Sequence, residues 1–224
     1  MEINSIFQAC EGEGSEVGIL KTFIRSQGCN VGCYYCDTPE ARIMSKGTKM
    51  DPEEIIHKVQ EFKWKNVTIT GGEPLIWLDL YKLVQLLNQD KYIITLETSG
   101  QFYNKDVFLL CDLLSVDAKP PSSKVKIDYT THNKILTEFP KNTQIKTVVK
   151  DLQDFEFTID YYNRFKDKLK PFQLIITPCW EINQESFNKE LVQKILEKLY
   201  ILKAPIRIIV QQHKIIYGPR RVGI

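Results

Sequence analysis

Three of the six cysteines lie within eight positions of one another, in Gly28-Cys29-Asn30-Val31-Gly32-Cys33-Tyr34-Tyr35-Cys36-Asp37-Thr38, a C-x3-C-x2-C spacing. Thiolates this close together in a glycine-bearing loop can converge on one iron–sulfur cubane. Three local ligands fill three iron corners and leave the fourth open to a small molecule, an arrangement suited to catalysis rather than electron transfer. Zinc is the competing reading, and a structural zinc site wants a fourth protein ligand. Cys10, His57, Cys111, His132, Cys179 and His213 are available, but none stands at a finger-like spacing. The third reading is three buried thiols, since a free cysteine packs as a small hydrophobe. That reading accounts for the scattered Cys10, Cys111 and Cys179.

A second group of unusual residues follows strand-like runs. Thr70-Gly71-Gly72-Glu73-Pro74 comes after Val67–Thr70, and Thr98-Ser99-Gly100 after Tyr92–Glu97. Asp117-Ala118-Lys119-Pro120-Pro121 comes after Leu113–Asp117, and Gln211-Gln212-His213 ends Ile206–Gln211. Ligands of parallel α/β folds bind at the carboxyl ends of strands. Each of these segments alone reads as an ordinary turn; four together predict one shared site.

The elements that must position these residues are short β-branched runs alternating with helical patterns. Further strands are predicted at Leu20–Arg25, Gln144–Val149 and Gln173–Thr177, with Asn4–Gln8 as a short edge strand. Their apolar content reads as strands buried on both faces. Asp51-Pro52-Glu53-Glu54 starts a helix with an N-cap, a first-turn proline and early acids. Asp79–Asn88 and Glu185–Leu202 place leucines at helical spacing. Alternation of this kind predicts an α/β fold with a mainly parallel sheet, open or closed as a barrel. No repeat or linker divides the 224 residues, so a single domain spanning 1–224 is expected.

The formal charge of +2, from 30 basic and 28 acidic residues, argues against a polyanion-binding surface, so no direct nucleic-acid partner is expected. The first residues carry Glu2, Glu11 and Glu13 with no apolar run, and no stretch approaches membrane-spanning length. A cytoplasmic protein with no membrane partner is the expectation.

The cysteine spacing, with an aromatic residue before the third cysteine and a later Gly71-Gly72-Glu73-Pro74, resembles the radical S-adenosylmethionine superfamily. Ser5-Ile6-Phe7, Glu11-Gly12-Glu13-Gly14 and Phe23-Ile24-Arg25 add a narrower likeness. So do Cys36-Asp37-Thr38, Glu97-Thr98-Ser99-Gly100, Ser115 to Ser123, and Gln212-His213-Lys214. Within the superfamily these resemble the 7-carboxy-7-deazaguanine synthases, from the first residues of the chain to the last. The resemblance implies a partial (β/α)6 barrel of the TIM-like type. It implies a [4Fe–4S] cluster on Cys29, Cys33 and Cys36, S-adenosylmethionine on its open iron, and Mg²⁺ at Thr38. The implied reaction is the radical ring contraction of 6-carboxy-5,6,7,8-tetrahydropterin to 7-carboxy-7-deazaguanine with loss of ammonia, on the route to queuosine and archaeosine. A homodimer and a flavodoxin- or ferredoxin-type electron donor are implied as well.

Carried onto this sequence, the resemblance places Tyr35, Cys36, Asp37, Gly72, Glu73, Ser99, Asp117, Ala118 and Lys119 on the S-adenosylmethionine side. It places Cys10, Glu11, Gly12, Glu13, Arg25, Thr70, His213 and the terminal carboxylate of Ile224 on the substrate side. The chemistry suits them. An arginine grips a carboxylate through two parallel hydrogen bonds, which lysine cannot imitate. Glu13 can accept from an aminopyrimidine edge, and a hydroxyl suits oxygen-loving Mg²⁺. One departure stands out: the family commonly has glutamine where this chain has Glu11. A radical-enzyme activase within the same superfamily and a zinc-stabilised binding module are the rival readings. The activase would have no use for Arg25 and Glu13.

Overall fold

The computed structural model describes residues 1–181 and 183–218. Among them nine strands form one sheet in the order β3-β1-β2-β4-β5-β6-β7-β8-β9. They are β1 (Glu2–Cys10), β2 (Leu20–Ser26), β3 (Thr48–Lys49), β4 (Asn66–Gly71), β5 (Ile93–Thr98), β6 (Leu113–Asp117), β7 (Thr143–Val149), β8 (Leu174–Pro178) and β9 (Arg207–Ile208). β1 runs antiparallel to both β2 and β3; every pair from β2 to β9 is parallel. Among the described residues β9 does not pair back to β2, so the barrel is partial and open.

Among the described residues seven α-helices connect or follow the strands: α1 (Pro52–Glu61), α2 (Leu80–Gln89), α3 (Lys105–Phe108), α4 (Tyr129–Glu138), α5 (Leu152–Phe165), α6 (Lys189–Leu202) and α7 (Gln212–Tyr217). α1 starts where its sequence signals. Asp51 accepts from the Glu54 N–H at 2.8 Å, and Glu54 returns the bond to the Asp51 N–H at 2.8 Å. A cap of this kind contributes about 1 kcal/mol.

Four expectations need correction. The strand expected at Asn4–Gln8 as a short edge is the nine-residue β1, paired on one side with β2 and on the other with β3. α6 begins at Lys189, not Glu185, because Asn188 caps it by accepting from the Leu191 N–H. The last strand shrinks from Ile206–Gln211 to two residues, being paired on one side only. The parallel strands are not apolar on both faces. Ile24, Val67, Ile69, Ile94, Leu96, Leu114, Val116, Ile145, Val149, Leu174 and Ile176 point outward into the core beneath the helices. Their neighbours in sequence, Lys21, Arg25, Thr68, Thr70, Thr95, Glu97, Ser115, Asp117, Gln144 and Lys146, take the other face. Side chains alternate along a strand, so a polar inner face marks where the sheet carries a site rather than a second core layer.

The loop between β1 and β2 crosses that inner face near the amino ends of the strands. It is closed by the Glu11 N–H to the Ile19 carbonyl at 2.8 Å and by the Gly18 N–H to the Glu11 carbonyl at 2.9 Å. Glu16 pairs with buried Lys21 and accepts from Thr95 Oγ1 at 2.7 Å, while Gln144 accepts the Ser15 N–H at 2.7 Å. The loop is the floor beneath everything that follows.

Candidate active site

Above that floor, at the carboxyl ends of the strands, lies a cavity of about 350 Å³. The four punctuated strand ends all reach it, through Thr70 to Gly72, Thr98 and Ser99, Asp117 and Lys119, and Gln211 and His213. Cys29, Cys33 and Cys36 form another part of its wall, and all three are free thiols, neither fully buried nor fully exposed.

The cysteine loop is fixed by a close backbone crossing. The Gly72 N–H donates to the Ser26 carbonyl at 3.1 Å, and the Glu73 N–H to the Gly28 carbonyl at 2.9 Å. A Cβ on Gly72 would stand 2.0 Å from the Gly28 oxygen, so only glycine fits. The Tyr34 N–H reaches the Ser123 carbonyl at 3.0 Å, and Arg42 Nη1 donates to the Cys33 carbonyl at 3.4 Å. Burial pushes the Cys33 thiol up and the Cys36 thiol to about 11. A bound metal would replace those protons.

The donor set fits a four-iron cluster with one open corner: three free thiols from one short loop share one cavity wall.

On the expected cofactor side, Tyr35, Asp37, Gly72, Ser99, Asp117 and Lys119 line the cavity. Lys119 donates to Asp117 Oδ2 at 2.6 Å, and the Tyr35 hydroxyl to the Val148 carbonyl at 3.4 Å. The side chains of Glu73 and Ala118 lie beneath the wall instead. Glu73 is fully buried and accepts from Thr98 Oγ1 at 2.9 Å, the Ser99 N–H at 2.8 Å, the Leu75 N–H at 3.1 Å, and Ser99 Oγ. Its carboxylate ties the glycine turn to the end of β5 and has no reach left for a ligand. Ala118 belongs to the core.

On the expected substrate side, Cys10, Glu11, Gly12, Glu13, Arg25, Thr70 and His213 all line the cavity. Ile224 lies outside the described residues. Arg25 stands over the Phe7 ring at 5.4 Å and donates through Nη1 to Thr38 Oγ1 at 3.0 Å. Its Nε is buried without a hydrogen-bond partner, a donor that an arriving oxyanion would satisfy. Thr70 donates to Glu97 Oε2 at 2.7 Å, and Gly12 packs so tightly on His213 that a Cβ would meet the ring Nδ1 at 2.0 Å. The Thr38 hydroxyl donates to Asp37 Oδ1 at 3.1 Å. Glu13, Asp37 and His213 bring one ligand atom each within 4.8 Å of the others, an oxygen-rich corner beside Thr38. Against the cost of desolvation, Lys214 first, then His213 and Arg25, hold the Asp37 carboxyl down to about 2.

The acid at position 11 is compensated from within the fold. Glu11 is buried, accepts from Thr68 Oγ1 at 3.1 Å and from its neighbour's Gly12 N–H at 3.1 Å, and lies 3.5 Å from the ammonium of Lys21. Burial still dominates, with Glu97 adding to it, and lifts its carboxyl to about 7. An acid whose folded pKa exceeds its unfolded one stabilises the fold fully below the unfolded value, and that contribution is lost as pH rises through the folded value. Wild type should therefore lose stability relative to Glu11→Gln between about pH 4.5 and 7, by on the order of 3 kcal/mol. Denaturant titrations of both proteins at pH 4.5 and 8 check this; a constant difference between the two pH values would refute it.

Sequence reasoning missed Lys146, which stands in the middle of β7 on the inner face. Its ammonium lies 2.5 Å from Glu13 Oε2, 3.6 Å from Asp117 Oδ1 and 3.9 Å from Glu97 Oε1. Gln211 was expected only as strand-end punctuation, yet its Nε2 donates to the other oxygen of Glu13 at 2.6 Å. The one available signal was a charged residue in the middle of a strand, Thr143-Gln144-Ile145-Lys146-Thr147-Val148-Val149.

Comparison with known proteins agrees with this geometry. Residues 23–117, from β2 to the end of β6, match the model of the Radical SAM superfamily. A 7-carboxy-7-deazaguanine synthase of Thermoplasma acidophilum is 30% identical over 97% of this chain and 98% of its own. One from Clostridium acetobutylicum is 32% identical over 97% and 96%. Among solved structures, QueE from Escherichia coli superposes with a TM-score of 0.72 at 24% identity, covering 95% of this chain and 94% of that one. SuiB of Streptococcus suis bound to S-adenosylmethionine superposes at 0.60, over 83% of this chain and 48% of SuiB.

Proposed function

This chain belongs to the 7-carboxy-7-deazaguanine synthases, within the radical S-adenosylmethionine superfamily, and from that premise we propose its reaction and the roles of its residues. It converts 6-carboxy-5,6,7,8-tetrahydropterin to 7-carboxy-7-deazaguanine with loss of ammonia. The observation that carries this reading is that one cavity joins the three free thiols to a carboxylate clamp and a hydrogen-bond acceptor.

Cys29, Cys33 and Cys36 hold the [4Fe–4S] cluster, and Asp117, Lys119, Tyr35, Ser99 and the Gly72 backbone surround S-adenosylmethionine. When bound, the two groups together supply a 5′-deoxyadenosyl radical that takes a hydrogen atom from the substrate. The remaining work is binding and orientation by the chain. Arg25 grips the substrate carboxylate with the otherwise unpartnered Nε and a neighbouring Nη. Glu13 accepts from the aminopyrimidine edge; against the cost of desolvation, Lys146 and then His213 together hold its carboxyl below the usual carboxylate range. Thr38 and Asp37 offer oxygen donors to Mg²⁺, the hard cation this oxygen-rich corner suits. The floor loop closes the site from below and keeps bulk water out. A homodimer, a cytoplasmic setting and a flavodoxin- or ferredoxin-type reductant complete the proposal. No helix among the described residues is long and apolar enough to cross a membrane.

Anaerobic turnover with carboxytetrahydropterin, S-adenosylmethionine, Mg²⁺ and a strong reductant tests the reaction. The expected result is 7-carboxy-7-deazaguanine and ammonia in equal amounts. A fully loaded cluster that cleaves S-adenosylmethionine yet yields no deazaguanine would overturn the substrate and leave the superfamily untouched.

A further inference from the structure

We propose that Lys146 is a positioning residue for the substrate, acting through Glu13 and tying the substrate wall to the cofactor wall; the inference rests on the reading of Glu13 given above. The side chain is nearly buried, at 9% exposure, and its ammonium is shared among three carboxylates from three different elements. Glu13 comes from the floor loop, Glu97 from β5 and Asp117 from β6. Each already has another partner: Gln211 on Glu13, Thr70 on Glu97 and Lys119 on Asp117. Lys146 is therefore the point where these bonded pairs meet, and it is fixed by all of them at once.

The consequence for recognition follows from donor and acceptor counting. The edge of an aminopyrimidine presents N–H donors, so Glu13 must meet it as an acceptor, which a carboxylate is and a protonated carboxyl is only in part. Lys146 is the cation in direct contact with Glu13, at 2.5 Å from one carboxylate oxygen, while the Gln211 amide holds the other at 2.6 Å. Without that ammonium, Glu13 keeps only the Gln211 amide and is free to swing toward it, away from the ligand edge. S-adenosylmethionine is affected less, because Asp117 keeps Lys119.

The test is a double-mutant cycle on the reconstituted holoenzyme, with Lys146→Gln, Glu13→Gln and the pair. Lys146→Gln should raise KM for carboxytetrahydropterin by about 100-fold, while cleavage of S-adenosylmethionine without substrate changes by less than about threefold. In the Glu13→Gln background the same change should add less than about threefold, since residues acting as one unit are not additive. A residue that only supported the fold would shift both substrates and would add fully. If Lys146→Gln does not fold, Lys146→Arg carries the test. It retains the charge, displaces Glu13 with a larger head group and should raise KM about tenfold, again only when Glu13 is present. An unchanged KM, or additive effects, overturns the proposal. Should Glu13→Gln raise KM while neither Lys146 variant does, only this inference falls; should wild type fail to turn over the pterin, the reading beneath it falls as well.

Discussion

Cys33→Ala is expected to give a folded chain with no detectable turnover and no stable four-iron cluster. Cys33 lies between the other two thiols in sequence, and its loop is anchored by backbone bonds that the substitution leaves intact: Tyr34 to Ser123, Glu73 to Gly28, and Gly28 to Ala41. The thiol is partly exposed and outside the hydrophobic core, so the thermodynamic loss should stay below about 1 kcal/mol. Chemistry should fail completely, because two thiolates cannot hold a cubane whose fourth corner must stay open. Iron and sulfide analysis after anaerobic reconstitution, with circular dichroism as the folding control, reads both halves. A variant that loads four irons and still forms product would remove the cysteine assignment. A variant that unfolds would assign the thiols to the core instead.

Arg25→Lys tests the other wall. The guanidinium is held in place by Thr38 through Nη1 and by the Phe7 ring beneath it, and its Nε is buried with no partner. Phe7 in turn stacks on Phe23 at 5.2 Å, so the platform is rigid. Lysine preserves the charge but offers a single point in place of a planar fork. A charge-assisted bidentate grip lost to a monodentate one costs about 2 to 3 kcal/mol, hence a KM for the pterin raised about 100-fold. The reductive cleavage of S-adenosylmethionine in the absence of substrate should remain near wild type, because Arg25 is not among its neighbours. Equal losses in both assays would show Arg25 to be structural. A change below about threefold in KM would show that the substrate carboxylate lies elsewhere.

Much of this molecule was legible in its residues. The β-branched runs located all the parallel strands, and the turns at their ends named the rim of the cavity before the strands were ordered in space. What stayed hidden has physical reasons. α4 (Tyr-Thr-Thr-His-Asn-Lys-Ile-Leu-Thr-Glu) is rich in β-branched residues and owes its start to Asp128, which accepts from the Thr130 and Thr131 N–H groups. α5 buries Phe155, Thr158, Tyr161 and Phe165, aromatic and β-branched residues whose intrinsic preference is for strands; packing overrides it. The strands' polar alternation was in plain view, but a rule for parallel sheets buried on both faces outweighed it. Lys146 escaped for a different reason: a lysine in a strand reads as an edge or surface residue until three carboxylates from distant segments are seen to surround it. The Glu11 departure likewise became intelligible only through Lys21, ten positions away in sequence and across the floor loop in space.

The two-sided strands have an evolutionary consequence. Along β4, β5, β6 and β7 the residues that keep the protein folded and those that face the cavity alternate one by one: Ile69 then Thr70, Leu96 then Glu97, Val116 then Asp117, Ile145 then Lys146. Selection on ligand choice and selection on thermal endurance thus act on interleaved but spatially separate sets of positions. A lineage can rewrite the inner set toward a new heterocycle while the outer set holds the melting temperature, with the sheet itself as the partition between the two.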